Sequence, residues 1–236
     1  MPSFIYKNSS DKIYASFFGK DKNNDDLVEF LIKKLPENRF KEALELYKND
    51  FLPDEAMCVS KNIHKSANSI NAFYDVWMES FQQNLSVGCF KGDELVGVNC
   101  LVMCSKDANC KEQKDYKDDA VRDVFEAVGY SYNEANIFEK YNCDRFLGAY
   151  GLVVNKNYRG RGIATEIIKA RIPLMKEIGL NVTATAFSVF GSQQAAKNAG
   201  FEDVYVISYE DFKKIEPRFT FTKTNERIYK VMAMKI

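Results

Sequence analysis

Two spacings of hydrophobic residues recur along the chain, one typical of strands and the other of helices. Short apolar or alternating runs predict strands at 27–35, 85–90, 95–104, 145–154, 181–187, 201–208 and 227–236. The second and third runs are joined by Lys91-Gly92-Asp93-Glu94, which is typical of a tight hairpin. The pattern therefore predicts a sheet of about seven strands that includes an antiparallel pair.

Apolar residues at helical spacing predict helices at 39–50, 66–83, 120–141, 163–178 and 192–198. Inside the fourth of these helices Pro173 predicts a kink, and Gly179 is placed to cap its C-terminus. Gly129 and Ser131 predict an interruption of the third. The polar segment 105–119 is predicted to be a loop.

The first half of the chain contains the hairpin, and strands and helices alternate in the second half. This order of elements predicts a mixed α/β fold. No internal repeat and no Pro- or Gly-rich linker divides the sequence. We therefore expect one domain at 27–236. Residues 1–26 lack clear periodicity and are treated as an N-terminal extension of uncertain order.

Charge and hydropathy argue against two classes of binding partner, nucleic acids and membranes. Lys plus Arg and Asp plus Glu both number 33, and no stretch concentrates basic residues, so we expect no nucleic-acid partner. The longest apolar runs, such as 146–154, are far shorter than the roughly 20 residues that span a bilayer. Residues 1–20 lack a signal-peptide core, and we expect a cytoplasmic protein without a membrane partner.

Cysteine usage gives no sign of a metal site. The six cysteines stand at 58, 89, 100, 104, 110 and 143 without a CxxC pair, and His64 is the single histidine. Cys100 and Cys104 share one face of the strand at 95–104 and are expected in the core, because free cysteine is often buried. We expect no bound metal.

The segment 152–164 carries the clearest chemical signal, because a predicted strand passes through a glycine-bearing turn into a helix. Glycines let the backbone approach an anion, which the N–H groups at a helix start attract, so the segment can bind a pyrophosphate. Arg159 and Arg161 can add charged contacts. A GxGxxG motif is excluded because Thr165 stands where glycine is needed, and no GxxxxGK[ST] is present. The alternative is an ordinary polar turn before a helix.

Residues 159–164, RGRGIA, resemble motif A of the GNAT acetyltransferase superfamily, Q/R-x-x-G-x-G/A, with Arg159, Gly162 and Ala164 at its fixed positions. NAGF at 198–201 is similar to the family's entry to a late strand. More closely, the chain resembles the arthropod arylalkylamine N-acetyltransferases. That likeness rests on FLPDE at 51–55, SVFGS at 188–192, YEDF at 209–212 and the ending at 228–236.

The resemblance implies the GNAT fold, a mixed central sheet flanked by helices, with acetyl-CoA as co-substrate and no metal. It implies transfer of the acetyl group to a primary amine that attacks the thioester directly while both substrates are bound. A splayed strand would expose N–H groups near Val153 and Val154 to the thioester oxygen. The residues implied to bind the co-substrate are Leu152, Val153, Val154, Arg159, Gly160, Arg161, Gly162, Ile163, Ala164 and Ser192.

The resemblance also implies a catalytic set. At neutral pH on the order of one alkylamine molecule in a thousand is unprotonated, so a base is useful, and Glu55 matches the subfamily's catalytic glutamate. Its alternative is a solvated acid after a helix. Ser188 and Ser192 match the subfamily's serine pair and could relay protons or bind CoA, although Ser192 could equally cap a helix. Ala196 stands where many GNAT enzymes have an acidic tyrosine, which leaves the acid for the CoA thiolate open.

The family's amines include dopamine, tyramine, octopamine, serotonin and tryptamine, and four aromatic residues could line such a pocket or belong to the core: Phe51, Phe73, Phe187 and Phe190. Three alternatives stay open. The substrate could be an aliphatic amine such as agmatine or a polyamine, or a protein. The chain could also be a non-catalytic CoA-binding module. We expect a monomer whose ligands are the small amine and acetyl-CoA.

Overall fold

The computed structural model describes residues 12–22, 26–107 and 116–236. In these ranges eight strands form one sheet in the order β1-β2-β3-β4-β5-β6-β8-β7. The strands are β1 Ile13–Lys20, β2 Leu27–Lys34, β3 Val87–Lys91, β4 Glu94–Ser105, β5 Arg145–Val154, β6 Val182–Phe187, β7 Glu202–Ser208 and β8 Ile228–Lys235. The mixed α/β sheet confirms the predicted fold class, with one strand more than the expected seven or so.

The sheet has two antiparallel parts that meet at one parallel junction. Strands β1 to β5 pair antiparallel in chain order, and β8 pairs antiparallel with both β6 and β7. At the junction β5 and β6 run parallel and pair only at Leu147 and Thr183. Beyond this pair, no strand of the described residues lies on the β6 side of the C-terminal half of β5.

Helices cover both faces of the sheet. They are α1 Phe40–Leu46, α2 Ala56–Ser60, α3 Ala67–Phe81, α4 Asp119–Ala135, α5 Ile137–Tyr141, α6 Ile163–Lys169, α7 Arg171–Ile178, α8 Phe190–Asn198 and α9 Tyr209–Ile215. One core contains the apolar faces of α1 to α5 and of α9, with Trp77 at its centre. The second core, on the opposite face, contains those of α6, α7 and α8.

Local chemistry explains several boundaries. Ser66 and Asp118 cap α3 and α4, because their side chains accept N–H bonds from the first turns. Gly179 ends α7 with a positive φ of 71°, as the sequence predicts. The break between α6 and α7 falls at Ala170, because Pro173 has no N–H to donate to the carbonyl four residues earlier.

Three boundaries differ from the prediction. Gly129 and Ser131 do not interrupt α4, because Ser131 donates its hydroxyl to Ala127 O (2.9 Å) within the helix, and the helix instead ends at Asn136 with a φ of 42°. The helix predicted at 192–198 begins earlier, at Phe190. The helix predicted at 39–50 ends at Leu46 and continues as a wider turn, Tyr47–Phe51.

The strand predicted to be the first, at 27–35, is β2 in the structure, because Ile13–Lys20 precedes it and pairs with it as β1. The alternation in β1 is weak because it is an edge strand, where several side chains are exposed. The rest of the predicted extension, residues 1–11 and 23–25, and most of the predicted loop at 105–119, residues 108–115, lie outside the described residues. Cys110 lies there too.

Cys100 is fully buried and Cys104 half-buried in the same core, as the strand pattern predicts. Across the described part of the chain, no cluster of three or more His, Cys, Asp or Glu is arranged to hold a metal. None of the helices in these ranges has the length and apolar character needed to cross a membrane.

Candidate active site

A cleft of about 590 Å³ opens where β5 and β6 part. Its floor is the C-terminal half of β5, and one end is formed by the turn between β5 and α6. The turn before α2 and the segment after β6 form its sides, and these bring Glu55, Ser188 and Ser192 to the same cleft. Sequence positions more than 130 residues apart therefore meet at one site.

The glycine turn has the open backbone that the sequence predicts. Gly160 and Gly162 have φ values of 75° and 78°, and a methyl group added to either would meet no atom of the described residues within 4 Å. Glycine adopts this conformation without strain, and the empty space leaves the backbone accessible. Together with Ile163 and Ala164 they line the cleft. The turn thus fits a pyrophosphate held by backbone N–H groups.

The two arginines of the turn contact protein atoms. Arg159 lines the cleft, but its guanidinium pairs with the Asp54 carboxylate and donates to Asp50 O and to Val154 O. Arg161 folds back on the turn and donates to Asn157 O (2.9 Å). Contacts from either arginine to a phosphate stay a prediction, and the backbone of the turn is the better-placed donor.

Along β5, backbone groups alternate between the two edges of the strand. Asn155 donates its N–H to Val96 O next to β4 (2.8 Å), so the N–H of Val153, two residues earlier, also faces β4. The N–H groups of Leu152 and Val154 then face the edge that β6 leaves open. The geometry therefore favours these two residues over the predicted pair Val153 and Val154 as donors to a carbonyl oxygen in the cleft.

A bulge in β5 is held by three side-chain donors. Trp77 Nε1 donates to Tyr150 O (2.9 Å), while Tyr47 Oη (2.9 Å) and Asn99 Nδ2 (2.7 Å) both donate to Gly151 O. Because the peptide group is planar, the N–H that follows each carbonyl points away from these donors. Side chains from three separate elements therefore fix the backbone of the cleft floor.

Behind this bulge lies a fully buried arginine on α7. Arg171 donates from Nε to Asn99 Oδ1 (2.9 Å) and from Nη1 to Thr183 Oγ1 (3.1 Å) and Thr185 Oγ1 (2.7 Å). Within the described residues no carboxylate pairs with it, and burial lowers the pKa of the guanidinium to about 10. The arginine thus links β4 to β6 at the point where β5 and β6 separate.

Glu55 is half-buried and stands at the start of α2. It caps the helix by accepting the Cys58 N–H at Oε2 (2.6 Å), which fixes the direction of its carboxylate. Burial, and then the Glu55 charge, raise the pKa of the Cys58 thiol well above its usual value. Glu55 therefore has a structural contact, and it also lines the cleft as the proposed base requires.

Two buried tyrosines lie close enough to Glu55 to feel its charge. Burial and then Glu55 raise the pKa of Tyr209 well above 10. Burial, Tyr132 and Glu55, in that order, raise the pKa of Tyr229 in the same direction. Tyr209 donates its hydroxyl to Ser188 O (2.8 Å), so it fixes the segment after β6. Both tyrosines lie in segments that carry the family resemblance, 209–212 and 228–236, but the pattern does not single out either one, because their contacts depend on tertiary structure.

Ser188 and Ser192 line the cleft on the segment after β6. Ser192 is the third residue of α8 and donates its hydroxyl to Val189 O (2.8 Å). The helix-capping alternative for Ser192 is therefore wrong, since the helix begins before it and its N-cap is Val189. Ala196 is fully buried in α8, and its methyl side chain has no proton to donate to the thiolate.

Much of the cleft wall is apolar and aromatic. Of the four aromatic residues predicted to lie in the pocket or in the core, Phe51, Phe73 and Phe187 line the cleft, whereas Phe190 is 64% exposed and does not. Two further aromatic residues from α4 and β5, Phe125 and Tyr150, complete this wall with their ring centroids 5.9 Å apart, edge to face. The Phe73 ring packs on Phe125 at 5.2 Å. The sequence does not single out Phe125 as a pocket residue, because the apolar spacing along α4 is equally typical of residues in the core.

A splayed sheet with a glycine turn at the gap and a carboxylate beside it defines an acyltransferase of the CoA-dependent class. The model of the acetyltransferase (GNAT) family matches residues 40–201. A search of curated proteins found no match to this chain.

Three solved insect structures are similar. A protein of the yellow fever mosquito Aedes aegypti, provisionally named arylalkylamine N-acetyltransferase 7, is 34% identical with a TM-score of 0.91, and the alignment covers 95% of this chain and 94% of that one. Arylalkylamine N-acetyltransferase 2 from the same mosquito is 17% identical (TM-score 0.79; 88% and 99% covered). Drosophila melanogaster polyamine N-acetyltransferase is 8% identical (TM-score 0.75; 88% and 100% covered). The last two show the fold alone.

The chain belongs to the acetyltransferase (GNAT) family, as the motif at 159–164 predicts. Membership makes it an acetyltransferase and implies acetyl-CoA as the acyl donor. The open turn at Gly160 and Gly162 and the unpaired edge of β5 fit that molecule.

Proposed function

We propose that this protein transfers the acetyl group of acetyl-CoA to the primary amine of a small arylalkylamine such as dopamine, tyramine, octopamine, serotonin or tryptamine. One observation carries the proposal: Glu55 and an aromatic wall of Phe73, Phe125 and Tyr150 line the same cleft as the glycine turn. An aromatic ring buries much apolar area against such a wall, while the amine needs a single anionic partner.

The charge of the cleft supports an aromatic over a polycationic substrate. Asp54 also lines the cleft, but its carboxylate pairs with Arg159. Asp50 is 8% exposed and accepts the Lys156 N–H. Glu55 is therefore the acid that is best placed to meet an ammonium group. A polyamine or agmatine would bring a second cationic group to a wall made of aromatic rings.

In the proposed mechanism the donor supplies an acetyl thioester held by the glycine turn and β5. Glu55 attracts the ammonium group, accepts one proton from the nitrogen directly or through water and releases it to solvent. It then accepts the second proton, which the nitrogen loses as the C–N bond forms. The nitrogen attacks the carbonyl carbon, so that a C–N bond forms and the C–S bond breaks. The N–H groups of Leu152 and Val154 are placed to stabilise the negative charge on the carbonyl oxygen. Ser188, Ser192 or water then protonates the departing thiolate.

A substrate panel tests this function. CoA release is measured with tyramine, dopamine and serotonin, with agmatine and spermidine, and with a lysine-containing peptide. We expect saturable turnover of the aromatic amines. Turnover only of agmatine or spermidine would overturn the substrate class, turnover only of the peptide would indicate a protein acetyltransferase, and binding of acetyl-CoA without any turnover would favour a non-catalytic module.

The variant Phe125→Ala tests the wall itself. Loss of the ring removes both apolar area and an edge-to-face contact, and we expect kcat/KM for tyramine to fall by about tenfold. Val128→Ala, a smaller truncation on the same helix and at the same cleft, is the matched control and should have a smaller effect. An equal loss with an aliphatic amine would contradict a specific role for the ring.

The proposal also covers the ligands, the cellular location and the oligomeric state of the enzyme. The balanced charge and the absence of a basic cluster in the sequence support an enzyme that binds two small molecules and no nucleic acid, and we propose that it works in the cytoplasm. We propose that it works as a monomer, since one chain supplies every residue named in the mechanism.

A further inference from the structure

Tyr229 on β8 carries a hydroxyl group with no hydrogen-bond partner in the described part of the chain. The residue is 1% exposed and nevertheless lines the cleft. An unpaired hydroxyl in a protein interior loses its bonds to water without replacement, so natural proteins rarely leave one without a use. The mechanism described above assigns it none.

The position of the Tyr229 ring is fixed on two sides. Tyr209 and Phe212 meet it edge to face, with ring centroids 6.3 Å and 5.3 Å away. Its backbone belongs to a strand that pairs with β6 on one side and β7 on the other. A ring packed in this way cannot turn its hydroxyl to another partner without disturbing the core.

The neighbouring hydroxyl groups are already used. Ser131 donates to Ala127 O (2.9 Å), and Tyr209 donates to Ser188 O (2.8 Å). Neither neighbour therefore donates to the Tyr229 oxygen, and its acceptor function is left for something that enters the cleft. Tyr229 lines the same cleft as Phe73 and Phe125 and lies close enough to Glu55 to feel its charge, and this is where the acceptor amine is proposed to bind.

We propose that the Tyr229 hydroxyl binds the nitrogen of the acceptor amine and is a substrate-contacting residue of the reaction. This inference rests on the proposed function in one respect, namely that the acceptor is a primary amine. A neutral primary amine has two N–H groups and one lone pair. If one N–H is held by Glu55 and the other by the Tyr229 oxygen, the lone pair is left free to face the carbonyl carbon of the thioester.

Tyr229 acts by orientation and keeps its own proton throughout. Its burial and the nearby Tyr132 and Glu55 hold the pKa of the hydroxyl well above 10, so the group stays neutral at physiological pH. The proton lost by the nitrogen as the C–N bond forms goes to Glu55. Glu55 thus accepts the proton from the nitrogen, while Tyr229 orients the nitrogen toward the thioester.

The variant Tyr229→Phe separates this role from a structural one. The unfolding midpoint of the ligand-free protein should not fall, because the lost hydroxyl has no partner to lose. The kcat/KM for the amine should fall by about 10- to 100-fold, as expected for a hydrogen bond to a charged or reacting nitrogen, while the KM for acetyl-CoA stays unchanged. Tyr209→Phe is the matched control, and its unfolding midpoint should fall because its hydroxyl is bonded to Ser188 O.

Two results would overturn the inference. One is a Tyr229→Phe enzyme with wild-type kcat/KM for the amine, and the other is a ligand-free variant that unfolds several degrees lower, like Tyr209→Phe. Failure of the proposed function has a different signature, in which the wild type turns over no aromatic amine. The Tyr229 variant is then measured with whichever primary amine the wild type accepts, since the inference concerns the nitrogen and not the ring.

Discussion

Replacing Tyr47 by phenylalanine tests whether the β5 bulge is held as described. The Tyr47 hydroxyl is fully buried, accepts the Cys100 N–H (2.9 Å) and donates to Gly151 O (2.9 Å). In Tyr47→Phe the carbonyl of Gly151 keeps its bond from Asn99, whereas the Cys100 N–H is left unpaired. We therefore expect a loss of about 2 kcal/mol in the free energy of unfolding, mainly from one unsatisfied buried donor.

For a chain of this size, about 2 kcal/mol corresponds to a fall of about 4–8 °C in the unfolding midpoint, which calorimetry or circular dichroism measures easily. The matched control is Tyr74→Phe, whose hydroxyl bonds to Glu45 at the surface (3.0 Å), and its midpoint should change by less than about 1 °C. If Tyr47→Phe were as stable as this control, the Tyr47 hydroxyl would not hold the bulge and the reasoning would be refuted.

Three further predictions follow from the backbone and from buried groups. Gly151→Ala should lower both stability and activity strongly, because Gly151 has a φ of 139° and the added methyl would lie 2.9 Å from the Tyr47 ring; a soluble variant with wild-type activity would contradict this. Burial raises the pKa of the Cys89 and Cys100 thiols from 9.0 to about 12. These thiols should therefore not react with a disulfide reagent at pH 8 until the protein unfolds. A thiol titration with and without denaturant measures the difference. Because the pKa of Tyr209 is raised above its unfolded value of 10.0, the native state keeps a proton that the unfolded chain loses, and stability should fall as the pH rises through 10 in thermal melts.

The hydrophobic pattern predicts much of the fold because most strands are runs of buried residues. The strand at 145–154 has the predicted bounds, and the hairpin turns at Gly92, which has a positive φ of 55°. Errors occur where one local signal competes with another. Gly129 predicts an interruption of the helix, but the residue faces open space on α4, where glycine is tolerated.

The sequence predicts those parts of the site whose residues are neighbours along the chain. The turn with Gly160 and Gly162 can be read directly, because its function depends on consecutive residues. Arg171 and Tyr229 could not be found, since an arginine on a helix and a tyrosine on a strand look ordinary. The importance of Arg171 comes from partners 12 to 72 residues away, and that of Tyr229 from a hydroxyl with no partner in the described part of the chain.

The most direct test of the account compares wild type and Glu55→Gln in the acetylation of tyramine across pH. Glu45→Gln is the control, because Glu45 is an exposed carboxylate on α1 outside the cleft. We predict that Glu55→Gln lowers kcat/KM by about 10²- to 10⁴-fold, and that the remaining rate rises with pH as more free amine becomes available. A Glu55→Gln enzyme as active as Glu45→Gln at neutral pH would contradict the assignment of Glu55 as the base.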